Sequence, residues 1–188
     1  MTHKVSVSVQ PGYLLLVAIG VMILPLKLII AWIFASFIHE LGHIICIMLM
    51  KKQIYTISFG ASGAIMETEQ LENGQELLAA LSGPLAGMLL LPLTHYIPLT
   101  AMLALAQSLY NLIPIYPMDG GRVIFGLVTH VWGADRGKKI YRIFVYSISV
   151  IILIAVVYAT IRFSLGLVPL VLLLFLYVRI KSSCKEWS

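Results

Sequence analysis

The sequence predicts an all-α polytopic membrane protein, with six transmembrane helices and a small membrane-associated β-sheet. Of its 188 residues 60% are hydrophobic and only 11% charged, and the mean hydropathy is +0.98, which excludes an ordinary soluble domain. Apolar segments fall at about 12–26, 28–50, 75–97, 98–117, 143–161 and 163–180, each near the roughly 20 residues that cross about 30 Å of hydrocarbon as a helix. With the N-terminus inside, Lys4, Lys51, Lys52, Arg122, Arg136, Lys138, Lys139, Arg142, Arg179, Lys181 and Lys185 are cytoplasmic, and only Lys27 and Arg162 face out. That asymmetry places both termini in the cytoplasm of a multi-pass protein of the cell membrane.

Residues 4–10 alternate strictly, as an N-terminal strand does. The segment 12–26 is followed by Lys27 without a small-x-small cleavage site, so it reads as a retained span and not a signal peptide. The next run, 28–50, carries His39-Glu40-Leu41-Gly42-His43. Residues 54–67 are rich in β-branched and aromatic side chains interrupted by Gly60 and Gly63, the pattern of a β-hairpin. In the third span Gly83 and Gly87 form a small-xxx-small face, read as close packing against the span that bears the histidines. The fourth ends in Pro114 and Pro117. The first and last spans are short, and snorkelling of Lys27 and Arg179 accommodates them. Neither a repeat nor a linker separates a second domain, so 1–188 reads as one membrane domain. Cys46 and Cys184 make no disulfide framework, and the net charge of +5 belongs to topology, with no nucleic-acid partner implied.

An H-E-x-x-H on a helix puts two imidazoles at i and i+4 on one face, where they can hold zinc, with the glutamate beside the metal to deprotonate its water. Two histidines and a carboxylate at membrane depth are costly unless something holds them, so such residues default to function. Catalytic zinc takes three protein ligands and keeps one position open. His39 and His43 supply two. The favoured third is Asp119, the only carboxylate between Glu76 and Asp135, set in proline- and glycine-broken chain that is tolerated at membrane depth only where it lines a cavity or packs on protein. The alternative for Asp119 is an N-cap opening a helix at Gly120. Cys46 reads as packing, and His3, His95 and His130 lack metal-like spacing to another ligand.

The His39-Glu40-Leu41-Gly42-His43 motif, Ser82-Gly83-Pro84-Leu85-Ala86-Gly87, and Asn111-x-x-Pro114-x4-Asp119-Gly120 together resemble the site-2 protease family of intramembrane zinc metalloproteases. The resemblance covers nearly the whole chain. The stretch Asn111 to Gly121 is closest to the bacterial sporulation branch that releases a membrane-tethered pro-sigma factor. That resemblance implies one zinc held by His39, His43 and Asp119, Glu40 as catalytic base, and cleavage of a substrate's transmembrane segment. Members of that branch usually carry a CBS domain and other branches a PDZ domain, whereas neither is expected here. Many relatives have asparagine where Gly87 stands.

The expected activity is therefore regulated intramembrane proteolysis by a single metalloprotease domain, with Asn111 orienting substrate or oxyanion. The expected partners are a membrane-tethered substrate, the lipid bilayer and regulatory membrane proteins. Two other classes use the same residues: a catalytically silent metal-binding scaffold, against which Glu40 argues because a structural site needs no base, and a metal transporter. The strand Tyr55 to Phe59 is further expected to offer an open edge that clamps unwound substrate by β-augmentation.

Overall fold

A computed structural model describes residues 5–60, 63–116 and 118–163. The chain divides into two compact units, Met1–Leu112 and Ile113–Ser188. The first contains β1 (Ser6–Val9), α1 (Pro11–Ile23), α2 (Leu26–Leu49), β2 (Ile54–Gly60), β3 (Gly63–Thr68), α3 (Asn73–Met88), a 3-10 turn at Leu91–Leu93 and α4 (Pro98–Asn111). Pro11 and Pro98 begin their helices, where a missing N–H and a fixed φ suit the first turn.

Helix α2 organises this unit. Ala31, Ala35, His39, His43 and Ile47 are buried at every fourth position, a stripe that the 3.6-residue period keeps on one face. At one end Ala35 packs with Leu90, Ala101 and Ala104; at the other Ile47 packs with Ile54 and Ala79. The histidines lie between these apolar contacts. The helix ends in a Schellman arrangement, with Lys51 at φ 58°, Lys51 N–H donating to the Met48 carbonyl and Lys52 N–H to the Ile47 carbonyl. This closes the last turn and turns the chain into β2.

The sheet order is β1-β2-β3. β1 runs parallel to β2, with Ser6 opposite Thr56 and Val9 opposite Phe59, and β2 pairs antiparallel with β3. The strand expected at 4–10 is observed at 6–9, and the hairpin at 54–67 as strands 54–60 and 63–68. The clamp expectation is corrected here. Tyr55 to Phe59 lies in the central strand with a neighbour on each side, so its hydrogen-bonding groups serve β1 and β3, and the outer edges belong to those two strands.

The second unit holds a turn-rich stretch from Ile113 to Tyr116, then α5 (Asp119–Trp132) and α6 (Ala134–Phe163). Gly133, at φ 78°, makes the reversal between the two helices. A Cβ on Gly137 would meet Thr129 at 2.7 Å from its Cα, so the start of α6 lies hard against α5. Ile115, Tyr141 and Val145 form the core of this unit.

Among the described residues three helices are long and apolar enough to cross a membrane: Leu26–Leu49, Gly74–Leu93 and Ala134–Arg162. The other expected spans differ. α1 has 13 residues. In the segment 98–117 helix α4 ends at Asn111, because the residue before Pro114 is biased away from the helical region and proline has no N–H to continue the ladder. The segment 143–161 lies within α6, whose charged first turns at 134–142 remain helical although they are not apolar. The segment 163–180 lies outside the described residues apart from Phe163.

Candidate metal centre

In the first unit His39 and His43 face each other across one turn of α2. Their Nε2 atoms are 3.3 Å apart and their rings meet edge to face, with an interplanar angle of 81°. His43 Nδ1 donates to the Ala79 carbonyl at 2.7 Å, which fixes the tautomer with the lone pair on Nε2. The Asn111 amide donates to His39 Nε2 at 3.2 Å, so that nitrogen is an acceptor as well. Both Nε2 atoms are therefore unprotonated and lie side by side, and an ion bound there would take the His39 lone pair from the Asn111 amide. Two imidazole nitrogens on one tetrahedral zinc, each at about 2.05 Å, stand about 3.3 Å apart. The separation and the nitrogen donors fit that ion, and the carbonyl behind His43 is the usual outer support of a ligating imidazole.

Glycines make this geometry reachable. A Cβ on Gly83 would overlap the imidazole of His43, and one on Gly42 would lie 2.5 Å from the Ser82 carbonyl oxygen and 2.6 Å from the Ala86 Cβ. Backbone contact between α2 and α3 thus presents the Ala79 carbonyl to the ring. The same carbonyl accepts the Ser82 hydroxyl at 2.6 Å. Gly87 has a different neighbour from the one expected, since its missing Cβ makes room for Ser108 and the Ala104 carbonyl of α4. Glu40 follows His39 on α2 and is half-buried.

In the second unit Asp119 is the first residue of α5 and Met118 is the N-cap, so Asp119 does not occupy the cap position considered as its alternative. It is 7% exposed, and Gly120 and Gly121 beside it are buried. A carboxylate in the first turn is favoured by the helix dipole. The turn leading to it is held by the Met118 N–H on the Ile115 carbonyl at 3.0 Å and by the Tyr116 N–H on the Tyr141 hydroxyl at 2.9 Å. A Cβ on Gly121 would run into the Ile115 and Tyr116 backbone, so glycine there is a packing requirement.

The structure thus brings together His39, His43 and Asn111 within one unit and buries Asp119 at a helix start in the other. Sequence reasoning missed the Ala79 carbonyl, because a main-chain acceptor leaves no mark in residue type. It also passed over Ser36 and Gln107, whose signal was present as two polar side chains in apolar spans.

Several known proteins are similar. The model for peptidase family M50 matches residues 86–156, a stretch that includes Asn111 and Asp119. Stage IV sporulation protein FB of Bacillus subtilis is 25% identical over 134 residues, covering 64% of this chain and 46% of that protein. Zinc metalloprotease MJ0392 of Methanocaldococcus jannaschii is 28% identical over 117 residues, covering 55% of this chain and 34% of that protein. This chain thus spans between a third and a half of the length of these curated relatives. The solved structure of the site-2 protease from Methanocaldococcus jannaschii superposes with a TM-score of 0.67 at 21% identity, covering 97% of this chain and 91% of that one, a likeness of fold. The chain is a helical membrane protein with a buried histidine pair. Its resemblance to the site-2 proteases, peptidase family M50, which the motifs carry, is shown by the family match, the relatives and the fold together.

Proposed function

We propose that this chain is an intramembrane zinc metallopeptidase of the site-2 type, hydrolysing a peptide bond in or near the transmembrane segment of a membrane-tethered protein. The observation that carries the reading is the facing pair of His39 and His43 Nε2 atoms at 3.3 Å. Support comes also from the H-E-x-x-H spacing, from the buried carboxylate of Asp119 and from the family likeness. His39, His43 and Asp119 would hold one zinc per chain, so the two units act as a single domain over 1–188. Bound there, zinc supplies Lewis-acid polarisation of the scissile carbonyl and a lowered pKa for the attacking water.

The chain's own residues do the rest. The Glu40 carboxylate takes the water's proton and passes it to the nitrogen of the leaving amine, so that one group serves as base and then as acid. The Asn111 side-chain amide, within hydrogen-bond reach of His39, orients the substrate carbonyl. The Ala79 carbonyl anchors the His43 ring and Gly83 leaves room for it, which would keep Nε2 available to a bound ion. Six spans with both termini in the cytoplasm remain the topology that the basic-residue asymmetry supports, with regulatory membrane proteins as further partners.

The test is metal removal from the purified protein in bicelles containing a membrane-spanning reporter. Chelation should stop cleavage and stoichiometric zinc should restore it. Zinc uptake into sealed vesicles, unaffected by Glu40→Gln, would instead identify a transporter.

A further inference from the structure

The contact between Asn111 and His39 has a second polar rung beside it between α2 and α4. On the second, the Ser36 hydroxyl donates to Gln107 Oε1 at 3.1 Å. Ser36 precedes His39 by three positions and Gln107 precedes Asn111 by four, so the rungs lie over each other on facing helix surfaces. A mid-helix hydroxyl ordinarily returns to a carbonyl of its own helix, as Thr129, Ser149 and Thr160 do here. Ser36 instead crosses to α4 and fixes the orientation of the glutamine amide.

With Oε1 engaged, the Gln107 amide N–H2 has no partner among the described residues, and the side chain is only half-buried. A donor left unmatched at membrane depth is costly. Neither Ser36 nor Gln107 is charged, so the pair offers a neutral donor with no counter-charge for an ion. In apolar surroundings the neutral acceptor that a peptidase must accommodate is the main-chain carbonyl of a helix that has unwound, which has lost its own N–H partner. We propose that Gln107, oriented by Ser36, is a substrate-positioning residue that donates to a main-chain carbonyl of the unwound substrate, one helical turn from His39. This rests on the peptidase reading above.

The probe is a fluorescent apolar peptide of about 25 residues, long enough to span the bilayer, with a central Gly-Pro pair and single amide-to-ester replacements scanned around it. An ester carbonyl is the weaker acceptor. Binding is measured in bicelles to the Glu40→Gln protein, alone and combined with Gln107→Leu or Ser36→Ala. Gln107→Leu should weaken binding about three- to tenfold, the size of one neutral hydrogen bond, and abolish the discrimination against one ester position. Ser36→Ala should move both in the same direction by a smaller factor, with zinc content and thermal midpoint unchanged. Equal binding to all three proteins, ester sensitivity that survives Gln107→Leu, or no binding to any of them overturns the proposal. Because binding is read without cleavage, Gln107-dependent binding by a protein that never cuts the probe would remove only the peptidase reading. Cleavage by the unmodified protein without any dependence on Gln107 would remove only this one.

Discussion

The His43 imidazole donates through Nδ1 to the main-chain oxygen of Ala79 at 2.7 Å, so α3 sets the tautomer of a side chain on α2. A hydrogen bond to a backbone carbonyl cannot be lost by substitution at Ala79 itself. It can be lost by separating the helices.

Gly83→Ala does that. Alanine is the better helix former by about 1 kcal/mol, so propensity alone predicts a more stable protein. The added methyl, however, overlaps the His43 ring. The expected result is a loss of zinc affinity of about tenfold or more, as when the outer support of a ligand is disturbed. Equilibrium competition with a metal indicator measures it. Gly74→Ala, where a Cβ meets nothing within 4 Å, should leave affinity unchanged.

Asp119→Ala should lower zinc stoichiometry as well as activity, because it removes one of three proposed protein ligands. A role confined to favouring the helix dipole from the first turn would instead leave zinc at full occupancy and cost about 0.3–2 kcal/mol of stability. Elemental analysis of the purified variant, set beside its unfolding midpoint, separates the two outcomes.

Tyr141→Phe removes the acceptor of the Tyr116 N–H from a side chain that is 1% exposed. Loss of one part-buried hydrogen bond costs about 0.5–1.5 kcal/mol. The variant should unfold at lower temperature and show faster amide exchange at Tyr116, while residues of the β2–β3 hairpin exchange at unchanged rates.

Much of this fold was legible in the sequence where the signal is local. The i, i+4 histidines and the apolar run around them located α2 and its buried face. Strict alternation and paired glycines located the sheet. The strand order was not legible, because β1 joins β2 from more than forty positions away and a parallel register leaves no local mark. The end of α4 at Asn111 was hidden for another reason: residues 112–116 are as apolar as a span, and only Pro114 betrays the stop. The start of α6 was not legible from the apolar run 143–161, because the charged residues at 135–142 carry no span signal although they continue the helix. Of the candidate site, side-chain chemistry pointed to His39, Glu40, His43 and Asp119, while the Ala79 carbonyl and the Ser36–Gln107 rung became apparent only once α2, α3 and α4 were packed.

The central claim is that Glu40 is the proton carrier of a zinc peptidase. Glu40→Gln preserves the shape of the side chain but cannot accept the water's proton, and loss of a general base lowers rates by about 10²–10⁴-fold or more. The decisive measurement follows cleavage of one membrane-spanning reporter by the original and Glu40→Gln proteins in the same bicelles, with zinc quantified in both. The account predicts equal zinc, one per chain, with cleavage only by the original. Equal cleavage by both proteins, or an active protein that carries no zinc, would contradict it.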